Sequence, residues 1–185
     1  MFKRILVAID GSPTANRGLR AAMELAVDQR ATVYALHVID SLGVITGLDG
    51  GYVPSAYIDS FANALRDSGR KTLAKAETFA RSCGVTCKPV LVESFGQSIA
   101  DTIVDQARKL RADVIVLGTH GRRGVRRMLM GSDAESVLRE ANVPVLLVRN
   151  PQGRRAPRAV KAVRTPRRPA GTAAPSPRTP PLHAE

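Results

Sequence analysis

Residues 5–13 read Ile-Leu-Val-Ala-Ile-Asp-Gly-Ser-Pro. Five apolar residues stand in a row without polar alternation. Short continuous runs of this kind suit strands buried on both faces, as in parallel sheets. The next residues change the conformation the chain prefers. Ser12 has the side chain of a helix N-cap, and Pro13 fits the first helical position. Ala15, Leu19, Ala22, Met23, Ala26 and Val27 follow at helical spacing. The stretch predicts a buried strand, a tight turn and an amphipathic helix, the repeating unit of α/β folds.

The same change of period recurs to residue 150. Val33–Ile39 reads as a second strand. Ile58, Phe61, Leu65, Leu73, Ala76, Phe79 and Ala80 mark a long second helix, stopped near Gly84. Val85–Val92 reads as a third strand, and Pro89 within it points to an edge position. Ile99, Ile103, Val104, Ala107 and Leu110 mark a third helix, and Val114–Leu117 a fourth strand. Ala134, Val137, Leu138 and Ala141 mark a fourth helix before a fifth strand, Val143–Val148. This alternation predicts one α/β domain, residues 1–150, with a doubly wound five-stranded parallel sheet and helices on both faces. Ligands of such sheets bind beyond the carboxyl ends of the strands, where strand order reverses. Two long connections reach that edge, Ser41–Ser55 and Gly118–Ser132. Loops of this length in compact domains are commonly functional.

The formal charge of +12 is unevenly spread over the 185 residues. Residues 151–185 hold eight basic residues and one acid, a net +7, which leaves +5 for residues 1–150. The same segment is rich in Pro, Ala and Thr and has no apolar periodicity, so it reads as a disordered tail. The longest stretch free of Asp, Glu, Lys and Arg is nine residues, far short of the roughly 20 that span a membrane. The five apolar residues after Arg4 are too few for an export signal. A cytoplasmic location is expected, and the two cysteines, Cys83 and Cys87, fit a reducing compartment without suggesting a metal cluster.

The chemistry concentrates in Gly118–Ser132, which reads Gly-Thr-His-Gly-Arg-Arg-Gly-Val-Arg-Arg-Met-Leu-Met-Gly-Ser. It leaves a buried strand and ends where a helix starts. Gly118, Gly121 and Gly131 allow sharp turns and close approach to a ligand. Unpaired N–H groups at the helix start favour an anion, and Arg122, Arg123, Arg126 and Arg127 add positive charge. The combination suits phosphate. Another reading needs no ligand: Ser132 and Glu135 spell a Ser-x-x-Glu capping box.

The spacing Gly118-x2-Gly121-x9-Gly131-Ser132 resembles the nucleotide-binding motif of the universal stress proteins. Phe2–Ser12 is similar to that family's opening strand, and Val143–Arg149 to its closing strand. The resemblance covers nearly all of residues 1–150. It implies an ATP-binding domain of the adenine nucleotide alpha-hydrolase-like fold, usually dimeric and linked to survival under stress. It places Asp10 on the ribose or on a phosphate-bound Mg²⁺, and backbone groups of Val38 on adenine. Gly118 and Gly121 would lie along the ribose and phosphates. Gly131 and Ser132 would bind phosphate from the helix start. The fifth strand, apolar on both faces and last in the sheet, is expected to pair with a second copy. Asp133 follows the motif. A carboxylate there suits the helix dipole, and it repels phosphate if turned into the site.

Catalytic signatures are missing. There is no Gly-x-x-x-x-Gly-Lys-Ser/Thr and no Gly-x-Ser-x-Gly, so a sensor or regulator is expected, with at most slow ATP hydrolysis. His120 lies in the glycine loop, and His37 reads as a core residue. A response-regulator receiver would need acids after the first strand, an Asp after the third and a Lys after the fifth. Here the third strand ends near Glu93 and the fifth at Arg149. The remaining alternative is a protein that binds nucleic acid or an anionic surface through the basic tail, which has no aromatic residue for base stacking.

Overall fold

The central strand, β1 (Arg4–Ala8), is paired in parallel on both sides. In the computed structural model, which describes residues 1–41, 55–119 and 131–149, it is followed by α1 (Pro13–Gln29), β2 (Thr32–Asp40) and α2 (Ser55–Ser82). Then come β3 (Cys87–Ser94), α3 (Ile99–Lys109), β4 (Val114–Gly118), α4 (Ser132–Glu140) and β5 (Val145–Val148). The sheet order is β3-β2-β1-β4-β5, all parallel. This is the doubly wound five-stranded sheet expected from the sequence. Pro89 lies on edge strand β3, and β5 is the other edge. The described residues belong to one compact unit, Met1–Pro151. The connection 42–54, the stretch 120–130 and residues 150–185, which include the tail, lie outside the described residues.

The two faces of the sheet separate residue by residue. Ile5, Val7 and Val116 pack with Leu19 and Met23 of α1 and Leu73 and Ala76 of α2. Leu6, Ile115 and Leu117 turn the other way, onto Ile103 and Val104 of α3 and Val137 of α4. Alternate residues of a strand face opposite sides, so a continuous apolar run serves two cores at once. Each fully buried aliphatic side chain contributes about 1.5–3 kcal/mol.

Element ends follow local chemistry. The Ser12 hydroxyl accepts from the Ala15 N–H at 3.1 Å and Pro13 opens α1, as expected. The third strand starts two residues later than its apolar run. Gly84 (φ 68°) turns the chain out of α2, and the Val85 N–H caps that helix on the Ala80 carbonyl at 3.0 Å. The fifth strand also starts two residues late, at Val145. Pro144 has no N–H to give to a ladder, although its carbonyl accepts from Ile115. At the other end of the sheet the Asp113 carboxylate accepts from the N–H groups of Lys3 and Arg4, at 2.6 and 2.8 Å. These donors hold its pKa below the usual carboxylate range.

Leu6 is fully buried between β1 and the α3–α4 layer, whereas Leu146 on β5 is 40% exposed. Leu6→Ala should therefore lower unfolding free energy by about 2–5 kcal/mol, the usual cost of such a cavity. Leu146→Ala should cost under about 1 kcal/mol. Urea denaturation of both variants measures the contrast.

Candidate functional site

Strand order reverses at β1. The chain winds outward through β2 and β3, then crosses back to β4 on the other side. Neighbouring connections leave β1 and β4 in opposite directions and open a crevice at their carboxyl ends. A cavity of about 140 Å³ lies there. Ala8, Ile9 and Asp10 line it from the end of β1, and Leu117, Gly118 and Thr119 from the end of β4. Leu36 and Val38 of β2, Ile99 and Ile103 of α3, and Ala15 of α1 add apolar wall. Gly131, Asp133 and Ala134 close it from the start of α4.

The first wall is fixed by β2. The Ile9 N–H donates to the Leu36 carbonyl at 2.8 Å. The Ile9 carbonyl accepts at 2.7 Å from Nδ1 of the buried His37, so Nδ1 carries the proton in this contact. Both backbone groups of Ile9 are thus held by the neighbouring strand. The chain then turns at Gly11, whose φ of 81° favours glycine. Asp10 Oδ1 accepts from the Ser12 N–H at 2.9 Å, an Asx turn that orients the carboxylate at the cleft.

The second wall depends on close packing. A Cβ on Gly118 would lie 2.9 Å from the Thr14 carbonyl carbon and 3.0 Å from the Ala15 nitrogen. These are backbone atoms in the first turn of α1, and they have little room to move. Gly118 is therefore required by the approach of α1, in addition to any approach of a ligand. The next residue, Thr119, donates its N–H to the Val148 carbonyl at 3.0 Å and accepts from the Gly131 N–H at 2.9 Å. The latter bond joins the two ends of the stretch 120–130 beside the cleft.

Two expectations for this region need correction. Gly131 does not make a glycine-only turn: it is the N-cap of α4, with φ −61° and ψ 144°, which any residue adopts. The Ser132–Glu135 capping box is also not formed. Gly131 already gives its carbonyl to the Glu135 N–H at 3.0 Å, so the helix begins one residue earlier than the box requires. Ser132 is inside the first turn, and no side chain caps the helix.

Of the sequence-expected residues, Asp10, Val38, Gly118 and Gly131 meet in this cleft. Val38 lies two residues inside the end of β2 rather than at its end. Ser132 adjoins the cleft without lining it, and Asp133 lines it instead. Gly121, Arg122 and His120 fall in 120–130, outside the described residues. Sequence reasoning did not single out Leu36, Ile99, Ile103 and Leu117 as site residues, because they carry the same apolar signal as the core. Thr119 was missed too; its only signal is being the residue after Gly118. Among the described residues no group of three His, Cys, Asp or Glu could hold a metal ion. Burial pushes the Cys87 thiol up to about 11, so it is not a thiolate at neutral pH.

The two glycines should respond oppositely to substitution. Gly118→Ala forces a methyl against backbone and should cost about 1–3 kcal/mol. Gly131→Ser keeps an allowed conformation and supplies a capping hydroxyl, so stability should stay level or rise by a few tenths of a kcal/mol, roughly. Denaturant midpoints of the two variants check this.

Known proteins share this architecture. The model of the universal stress protein family matches residues 1–149. The Bacillus subtilis universal stress protein YxiE is 34% identical over 151 residues, covering 80% of this chain and all of that one. The crystal structure of a universal stress protein family member from Burkholderia pseudomallei is 37% identical, covers 79% of this chain and 95% of its own, and superposes with a TM-score of 0.62. The universal stress protein from Archaeoglobus fulgidus, in complex with dAMP, is 29% identical, covers 79% and 97% of the two chains, and has a TM-score of 0.55. A family-model match over almost the whole folded unit, with relatives more than 30% identical over the same span, shows that this chain belongs to the universal stress protein family.

Proposed function

We propose that the cleft binds an adenine nucleotide, ATP held with Mg²⁺ among them, and that the protein acts as a nucleotide-dependent sensor or regulator in stress rather than as a catalyst. The observation that carries this reading is the meeting of Asp10, Val38, Gly118 and Gly131 from four separate segments in one crevice at the switch point. The cleft is divided in a way that matches the ligand. Its apolar side, with Leu36, Ile99, Ile103 and Leu117, suits a base. Val38 lies two residues beyond Leu36, the last β2 residue paired with β1. Backbone groups of alternate residues face the same side, so those of Val38 face the space where β1 has ended. There they can read the edge of adenine.

The other side of the cleft is the start of α4. Its first N–H groups have no side-chain cap, and the helix dipole favours an anion there. Gly131 leaves that end unobstructed. In this reading Asp10 accepts from a ribose hydroxyl; its carboxylate is also the hard oxygen donor that nucleotide-bound Mg²⁺ prefers. By family resemblance Gly121 and Ser132 join the phosphate end, and Arg122 adds positive charge from the same glycine loop. The dAMP complex of the Archaeoglobus fulgidus relative supports the ligand class.

Calorimetric titration with ATP, ADP and AMP tests the reading. Binding should be retained with adenine nucleotides and lost with pyrimidine ones. Gly131→Val fits the extended backbone but places a branched side chain at the phosphate end, so it should weaken ATP at least about tenfold, or about 1.4 kcal/mol, with the melting temperature little changed. Unchanged affinity in the folded variant overturns the site.

The edge strand supports a second part of the proposal, a homodimer through β5. This strand is paired only with β4 among the described strands, and Leu146 projects outward. An apolar edge invites pairing with another chain, and a two-fold pairing closes after two copies. Leu146→Lys should leave the fold intact and shift the sedimentation of a micromolar sample from dimer toward monomer. A wild-type monomer under the same conditions refutes the dimer.

A further inference from the structure

Asp10 and Asp133 are the only charged residues among the described residues that line the cleft. They stand on facing elements, the end of β1 and the first turn of α4. The end of α4 that would receive phosphate therefore already carries a carboxylate of its own. Glu135, in the same turn, is ion-paired with Arg139 at 3.2 Å and does not line the cleft. Asp133 lines the cleft from an exposed position and has no ion pair among the described residues.

We propose that Asp133 makes this cleft discriminate by phosphate charge, so that it takes adenine nucleotides whose phosphate charge is low or partly neutralised. The monophosphate and the Mg²⁺-complexed triphosphate are accepted, and the metal-free triphosphate is disfavoured. The inference rests on the nucleotide-binding reading above and adds the residue that sets selectivity within it. The physical basis is Coulombic. Asp133 is exposed, so a water-like dielectric constant applies; at about 80 and a separation of about 10 Å, each unit of like charge changes affinity roughly twofold. Adenosine carries no such charge, the monophosphate about two and the free triphosphate about four, so the penalty must grow along the series.

The test is titration of full-length wild type, Asp133→Asn and Glu135→Gln with adenosine, AMP and ATP, in 0.15 M salt, with EDTA and again with excess Mg²⁺. Asp133→Asn keeps the shape of the side chain and removes its charge. In EDTA it should leave adenosine within about twofold, tighten AMP about fivefold and tighten ATP more than tenfold. With Mg²⁺ the gain for ATP should shrink. Glu135→Gln, outside the cleft, should shift all three ligands by less than about twofold. An equal change in ATP and AMP affinity on Asp133→Asn, with adenosine still bound, overturns the inference alone. Positive charge from Arg122, Arg123, Arg126 and Arg127 would then set the charge preference. Weaker Mg²⁺-ATP binding in Asp133→Asn also overturns it and assigns Asp133 to the metal. Failure of wild type to bind any of the three ligands overturns the nucleotide site itself.

Discussion

The approach of α1 to the end of β4 is the constraint on which the site depends. A Cβ on Gly18 would lie 3.5 Å from the Gly118 nitrogen, and a Cβ on Gly118 would be closer still to the first turn of α1. A Cβ at Gly18 would make only ordinary contact, so it is glycine at Gly118 that lets the helix meet the strand end at backbone distance. That contact sets where the crevice between β1 and β4 begins. It also explains why the first glycine of the loop motif cannot be read from ligand contact alone. The residue is fixed by packing before any ligand arrives.

The opposite wall is set by hydrogen bonding instead. Ile9 is the first residue beyond β1, where a chain would ordinarily begin to fray. Leu36 and His37 hold its N–H and its carbonyl. The buried imidazole therefore acts as a positioning group for the residue next to Asp10. An Asx turn at Asp10 and a capping serine at Ser12 then lead directly into α1. The cleft is thus bounded by two rigid edges of the same sheet, as expected of sites built on scaffold elements rather than on loops alone.

Between these walls the cleft combines unlike demands. Its apolar side belongs to the same cluster that packs α3 and α4 on the sheet. Its polar side is a helix start whose dipole attracts an anion and whose second residue is a carboxylate. The carboxylate stabilises α4 by its position near the helix N-terminus. The same charge opposes phosphate. One residue therefore couples the stability of the helix to the charge of the ligand it admits.

The sequence by itself determined the order and type of every element. Continuous apolar runs and helical spacing are local signals, and Ser12, Pro13 and Pro89 lie where those signals put them. It also marked Gly118 and Gly131, since glycines are visible in one dimension, whereas Asp10 and Val38 were singled out by family resemblance. Tertiary structure decided what those residues share. Leu36, Ile99, Ile103 and Leu117 line the cleft while carrying an apolar pattern that cannot distinguish a ligand wall from a core. The cap of α4 fell on Gly131 rather than Ser132, because its helix starts from the Thr119–Gly131 bond between residues twelve apart in sequence. Strand starts at Cys87 and Val145 were displaced by a helix cap and by a missing proline N–H. In each case hydropathy recorded the side chain, while the outcome was settled by where the backbone N–H groups found their acceptors.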